Sequence, residues 1–441
     1  MKDSQGPAAG SRSEADEARL MITAGGHVSG VSKTLYSELI ALDEECSAED
    51  YADALTINDC EEEAVSIYVR LPLHEQFGDV CQDGGGLGHD SRQIDRYLDA
   101  LCKELELVSR KLSRKPLLQQ LHLGGGAPNC LSEIQLARLF DHLDSHFSIT
   151  DDTEASVDAT VYRASLTQLS LLKGFGFQGL NIDLSGVDRP TFDGLGQYQS
   201  LAVVGDVVRN ARGLGFDTLT VSLRYGAPHH DIAGMASLAA RVLALEPDRI
   251  YCGSVKTAGD STGLAAPRAS LADRVAMFNQ ILERFDNAGY NWVGLDCFAR
   301  PDDVISAAQD KGALRRNWIG YTDKPGRTML GFGSAARTDL PNLSLQNHYS
   351  VNAWQTELEQ ENLPVSAGKR LSGAQRARRN ALSDLMCNMR INDADGLVLG
   401  SQAGEQSLES LLEFGVISLS GSTLAVTDEG RLALQQIWAT A

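Results

Sequence analysis

The stretch Leu118-Gln-Gln-Leu-His-Leu-Gly-Gly-Gly-Ala-Pro128 decides the architecture. An apolar, strand-like run, Leu118–Leu123, ends on three glycines. It is followed by a segment of helical period, Ser132–Phe147, which opens with Ser132 and, three residues on, Gln135, the pattern of a capping box. Strand, tight turn and helix make one βα unit. Glycines after a strand let the backbone approach a ligand and aim amides at an anionic group. A plain tight βα turn uses the same residues, and composition does not separate the two.

Outward from this unit the same rhythm repeats. Short β-branched or apolar runs at Val65–Leu71, Ala155–Thr160, Gly179–Leu184, Thr218–Leu223, Arg249–Val255 and Tyr290–Asp296 read as further strands. Helical stretches lie between them at Ile94–Leu112, Ser165–Lys173, Ser200–Leu214, Met235–Leu245 and Leu271–Ala288. In the first of these Ile94, Tyr97, Leu98, Leu101 and Leu105 form one apolar stripe. Parallel strands in one βα series predict an α/β fold, a complete or partial barrel, with a flat doubly wound sheet as the alternative that periodicity leaves open. In either, the ligand site belongs at the strand C-terminal ends. After about Asp323 the pattern changes: Lys369–Asn388 reads as one long helix, and Ser407–Glu413, Val416–Leu419, Leu424–Val426 and Asp428–Trp438 read as helix, hairpin, helix in a winged-helix-like order. The expected divisions are a disordered arm over 1–20, an N-terminal extension over 21–64, a barrel over 65–322 and a helical C-terminal domain over 323–441.

The bulk composition narrows the class. The 441 residues are 43% hydrophobic and 22% charged, an ordinary globular balance, and the formal net charge is -20. Such a surface repels phosphate backbones and anionic membranes, so neither nucleic acid nor membrane is expected as a partner. No apolar run has the length of a membrane span, and the first residues lack the apolar core of a secretory signal. The eight cysteines are scattered with no CxxC pair and read as reduced thiols of a cytoplasmic protein; a monomer is expected.

Two further constellations stand beside strand ends. One is Tyr68-Val-Arg-Leu-Pro-Leu-His-Glu-Gln-Phe-Gly-Asp-Val-Cys81 with the glycine loop that runs to Gly88. The other is Gly294-Leu-Asp-Cys-Phe-Ala-Arg-Pro-Asp-Asp303 with Leu314-Arg-Arg-Asn-Trp-Ile-Gly-Tyr-Thr322, where Arg300, Arg316, Asn317 and Tyr321 suit carboxylate groups. With LHLGGGAPNCLS at 121–132 between them, these segments resemble the oxygen-independent coproporphyrinogen III dehydrogenase (oxidase) family of radical S-adenosylmethionine enzymes. LEPDRI at 245–250, LGFGSAA at 330–336 and VTDEGRLAL at 426–434 extend the resemblance to the C-terminus, and the stretch from Gly289 to Thr322 marks this family in particular.

The resemblance implies a partial (β/α) barrel of radical-SAM type with a helical, winged-helix-like C-terminal domain. It also implies a CxxxCxxC motif holding a [4Fe-4S] cluster, with S-adenosylmethionine on the fourth iron, and oxidative decarboxylation of two propionates to vinyls. Here the three ligand positions fall on His74, Gly78 and Cys81, and a further family cysteine falls on Asp83. One thiolate and one imidazole do not replace three fixed thiolates. Of the family's S-adenosylmethionine pocket, Gly124, Gly125 and Gly126 persist, the glutamate becomes Asp158, and the remaining polar positions fall on Ser185, Gln197 and Ser222. The expectation is therefore a catalytically degenerate member, without cluster or cofactor, that binds a tetrapyrrole or a haem-biosynthesis protein. Two alternatives stay open: an active dehydrogenase with atypical cluster ligation, and a new metal site built from His74, Cys81, Asp83 and His89.

Overall fold

The computed structural model describes residues 42, 46–57, 64–73, 91–184, 201–227, 230–255, 269–392, 412 and 415–438. Helix α1 (Ala48–Ile57) precedes strand β1 (Val65–Arg70). Then follow α2 (Ser91–Ser109), β2 (Leu118–Gly124), α3 (Glu133–His146), β3 (Glu154–Ala159), α4 (Leu166–Gly174), β4 (Gly179–Asp183), α5 (Leu201–Gly213), β5 (Thr218–Tyr225), α6 (Ile232–Leu243), β6 (Arg249–Ser254) and α7 (Leu271–Asn287). Strands β1 to β6 lie side by side in sequence order, all parallel, as the βα rhythm requires. The expected capping box is formed: the Ser132 side chain accepts from the Gln135 amide, and the Gln135 side chain accepts from the Ser132 amide.

The strands alternate with period two. Val65, Ile67, Val69, Leu121, Leu123, Val157, Leu180, Ile182, Leu219 and Val221 are buried in the main apolar core. Each such side chain contributes roughly 1.5–3 kcal/mol on burial. The opposite face carries Ser66, Tyr68, Arg70, Gln120, His122, Glu154, Ser156, Asp158 and Arg249. That face is concave. Arg249 Nη1 on β6 lies 3.8 Å from Glu154 on β3 although two strands stand between them. The sheet is a partial barrel with a polar interior.

Past β6 the chain departs from the expected pattern. The single parallel strand expected at Tyr290–Asp296 is instead a short antiparallel pair, β7 (Asn291–Val293) and β8 (Cys297–Ala299), joined by the turn Gly294–Asp296; β8 runs antiparallel to β6. The chain therefore leaves β8 at the N-terminal end of the barrel strands. After α8 (Val304–Asp310) a small hairpin forms, β9 (Arg315–Arg316) and β10 (Tyr321–Thr322).

The main sheet continues beyond residue 322. Strand β11 (Met329–Phe332) pairs parallel with β1, and β12 (Arg337–Leu340), β13 (Leu343–Asn347) and β14 (Val365–Arg370) add antiparallel strands outside it, with α9 (Val351–Glu359) between the last two. The helix expected over Lys369–Asn388 is corrected accordingly. Lys369 and Arg370 end β14, and α10 (Gly373–Asn388) starts after Ser372, whose capping box with Gln375 sets the boundary. Three short strands, β15 (Arg390–Ile391), β16 (Ile417–Ser420) and β17 (Thr423–Val426), and helix α11 (Asp428–Trp438) follow. The β16–β17 hairpin and α11 match the winged-helix-like reading. The expected arm over 1–20 and nearly all of the helix Ser407–Glu413 lie outside the described residues. No helix among the described residues is long and apolar enough to cross a membrane.

Candidate functional site

The upper half of the barrel interior, at the strand C-terminal ends, is one connected polar surface. Tyr68 of β1 stacks on His122 of β2 with ring centroids 5.5 Å apart. His122 Nδ1 lies 2.9 Å from Ser156 Oγ, and its Nε2 lies 3.4 Å from Asp158 Oδ1. Asn181 Nδ2 donates to the same Asp158 oxygen at 3.1 Å. Asp158 is thus oriented from β2 and β4 while its side chain stays 36% exposed. Burial first, and the Asp158 charge second, raise the Tyr68 phenol pKa, so Tyr68 stays neutral over the ordinary range.

The glycine run belongs to this surface for a steric reason. A Cβ on Gly124 would stand 2.4 Å from His122 Nε2 and 2.6 Å from Asp158 Oδ2, so only glycine lets the pair close over the strand end. The run also fixes the exit of β1. The Leu71 amide donates to the Gly124 carbonyl and the Ala127 amide to the Leu73 carbonyl, each at 2.8 Å. Ser222 lies on β5 opposite Asp183 and Tyr251, and its carbonyl accepts from the Leu184 amide at 2.8 Å. Of the expected site residues, then, Gly124, Gly125, Gly126, Asp158 and Ser222 lie on this barrel. Ser185, Gln197 and the motif positions His74, Gly78 and Cys81, with Asp83 and His89, lie outside the described residues.

The other expected group sits elsewhere. Arg300 donates to the carbonyls of Glu246 and Pro247, just before β6, at 3.1 and 3.3 Å. Asn317 Nδ2 donates to Gln120 Oε1 at 2.8 Å, beside the Gln120–Glu154 contact at the strand N-terminal ends. Both therefore stand at the end of the barrel opposite Asp158, because β8 runs antiparallel. Arg316 makes a bidentate pair with Asp296 at 2.6 and 3.1 Å, and the Tyr321 hydroxyl donates to Asp296 at 2.9 Å. The Arg316 guanidinium also packs on the Tyr321 ring at 4.6 Å. The β9–β10 hairpin closes the concave face from below, touching Gln120 on β2, Tyr251 on β6 and, through Trp318, Asp339 on β12.

Tyr68, His122, Ser156 and Asn181 were not singled out as site residues from sequence. The signal present was polar residues at alternate positions of otherwise apolar strands, as in Ser66, Tyr68, Arg70 and in Glu154, Ser156, Asp158.

The donor set does not fit a three-thiolate cluster, since the motif positions hold one thiol, one imidazole and a glycine. Among the described residues no group of three or more His, Cys, Asp or Glu side chains is placed to hold a metal ion. Burial raises the thiol pKa of Cys102, Cys252, Cys297 and Cys387, the reverse of what a thiolate ligand needs.

A partial parallel barrel with a glycine run after its second strand and a polar mouth defines a protein of radical-SAM fold. The solved coproporphyrinogen III oxidase (HemN) of Escherichia coli, described as a radical SAM enzyme, superposes with a TM-score of 0.78 at 25% identity, covering 89% of this chain and 92% of that one. The oxygen-independent coproporphyrinogen III oxidase of Pseudomonas aeruginosa is 28% identical over 427 residues, 93% of this chain and 92% of its own length. That of Synechocystis is 27% identical over 422 residues, 92% and 90% respectively. Along nine-tenths of its length the chain is thus similar to oxygen-independent coproporphyrinogen III oxidases, in sequence and in fold. No family model matches it.

Proposed function

We propose that this chain is a coproporphyrinogen III oxidase-like protein of haem metabolism that binds a tetrapyrrole at the barrel mouth and does not perform radical decarboxylation. The observation that carries the reading is a contrast in chemistry. The motif offers His74, Gly78 and Cys81 where three thiolates are needed, whereas the wall from Tyr68 through His122 and Asp158 to Asn181 is connected by ring stacking, a close imidazole–carboxylate contact and a hydrogen bond. A wall of this kind supports binding: a stacked aromatic pair suits a planar macrocycle, and Arg70 at the end of β1 suits a carboxylate. In this reading Arg300, Arg316, Asn317 and Tyr321 hold the barrel floor and do not touch the ligand.

Coproporphyrin III titrated into the protein and followed by absorbance tests this. Saturable binding at micromolar concentration, weakened by Asp158→Ala and by Arg70→Gln, is the expected result. After anaerobic iron–sulfur reconstitution the protein is expected to stay colourless. A brown protein with a full complement of cluster iron that cleaves S-adenosylmethionine overturns the reading in favour of an active oxidase with atypical ligation. Absence of tetrapyrrole binding overturns it in favour of docking on another haem-biosynthesis protein.

A further inference from the structure

A buried carboxyl outside the barrel interior is tied to Arg70 through one corner of backbone. Glu104, on α2, is fully buried. Its Oε2 accepts from the Gly333 amide at 2.8 Å and from Trp354 Nε1 at 3.1 Å, and its Oε1 accepts from Asn347 Nδ2 at 2.6 Å. Asn347 Nδ2 also donates to the Gly333 carbonyl at 2.9 Å. Glu104 thereby gathers the β11–β12 corner, β13 and α9 onto α2. Among the described residues, no basic side chain is one of its hydrogen-bond partners.

The same corner grips Arg70 twice. Arg70 Nη1 donates to the Ser334 carbonyl at 3.0 Å. The Tyr97 hydroxyl donates to the Arg70 carbonyl at 2.8 Å and accepts from the Ser334 amide at 3.0 Å. Tyr97 in turn packs on Trp354, with ring centroids 4.6 Å apart. Gly333 has φ +104°, and a Cβ there would lie 2.5 Å from the Arg70 carbonyl oxygen and 2.6 Å from the Tyr97 hydroxyl. The corner is therefore pressed against Arg70 as closely as a chain can be. The main chain of Arg70 is held by Tyr97 and its guanidinium by Ser334; these two are bonded to each other, and the corner that carries Ser334 hangs on Glu104 through Gly333.

We infer that Glu104 is a positioning residue for the barrel mouth: through the Gly333–Ser334 corner and Tyr97 it sets where Arg70 presents its guanidinium to a carboxylate of the ligand. This rests on the tetrapyrrole-binding reading for the identity of the ligand, but the mechanical link does not. A carboxyl with three donors can fix three elements at one point, which an amide or an apolar side chain cannot do. Loss of that point lets the corner shift, and a charge-assisted pair misplaced by an ångström loses most of its directional strength.

The test is a double-mutant cycle read with two ligands. Glu104→Ala is expected to weaken coproporphyrin III about tenfold, Arg70→Gln by a similar factor, and the double variant no further than Arg70→Gln alone. The tetramethyl ester of the same porphyrin, which carries no carboxylate, is expected to bind wild type and Glu104→Ala within twofold of each other. Additive losses, or an equal loss for the ester, would show that Glu104 supports the fold generally and would overturn the inference. Phenylglyoxal labelling of Arg70, mapped by mass spectrometry, reads the link without any ligand. Labelling is expected to be slow in wild type and faster in both Glu104→Ala and Tyr97→Phe, and unchanged labelling in both overturns the inference. If wild type binds no porphyrin but the labelling changes as expected, the functional reading fails and the positioning role stands.

Discussion

Arg316→Met is the substitution that best separates a barrel floor from a carboxylate site. Arg316 gives Asp296 two hydrogen bonds at 2.6 and 3.1 Å and receives further fixation from Tyr321. With charge centres about 4 Å apart and an effective dielectric near 20, the Coulomb attraction is about 4 kcal/mol. Removing one partner leaves the half-buried Asp296 with the Tyr321 hydroxyl and neighbouring dipoles; for a fully buried pair such a loss typically costs about 3–5 kcal/mol. The Arg316 and Asp296 side chains are 25% and 16% exposed, so water recovers part of the loss and the lower end, about 3 kcal/mol, is expected. Urea unfolding followed by circular dichroism measures this as a fall in midpoint at unchanged slope. Coproporphyrin III affinity, compared under native conditions, is expected to stay within twofold of wild type. A stability loss below about 1 kcal/mol together with a clear loss of affinity would refute the reasoning, because it would mean that Arg316 is spent on ligand and not on Asp296.

Burial pushes the Glu104 carboxyl up to about 8, against the three donated hydrogen bonds that pull it down. A carboxyl raised in the fold is protonated there while the unfolded chain is ionised, so its stability contribution is complete below about pH 4.5 and is lost as pH rises towards 8. The expected slope from this group is about 1.4 kcal/mol per pH unit. It should flatten in Glu104→Gln; parallel wild-type and variant profiles of unfolding free energy against pH would contradict it. Ser372→Ala removes the cap of α10 and is expected to cost about 1 kcal/mol in chemical unfolding. Arg431 on α11 clasps the Gly294 carbonyl at 2.8 and 3.1 Å and stacks on Trp292 at 4.1 Å, and burial lowers its pKa to about 10. Arg431→Gln is expected to cost about 1–3 kcal/mol and to make α11 a site of early proteolytic cleavage, visible as a shortened chain in limited digestion.

The six parallel strands were legible because each is a short apolar run closed by turn residues, and the spacing between them fits only a crossover helix. The β7–β8 pair was not. Nothing in the apolar stretch Tyr290–Ala299 marks a reversal except Gly294-Leu-Asp296, and the force that stabilises that turn, the Arg316 pair, comes from a segment some twenty residues on. The direction of β8 decides at which end of the barrel Arg300 and Asn317 emerge. The β14–α10 boundary, by contrast, is legible: Ser372 and Gln375 repeat the capping-box pattern of Ser132 and Gln135. The glycine run and Asp158 could be placed from sequence. His122, Ser156 and Asn181 could not, because a polar residue on alternate strand positions becomes a site only when the sheet curls and brings the strands into reach.

The main sheet stays open: β14 and β7 end the strand order, and a two-stranded hairpin spans the underside. Its polar anchors, Gln120, Glu154, Arg249 with Asp303, and Asn317, share no hydrogen bond with the set around Asp158. Evolution can therefore act on the two ends separately. Substitutions around the mouth draw little on the reserve that keeps the chain above its folding threshold, so cofactor-binding residues can drift while the scaffold stays selectable for another use.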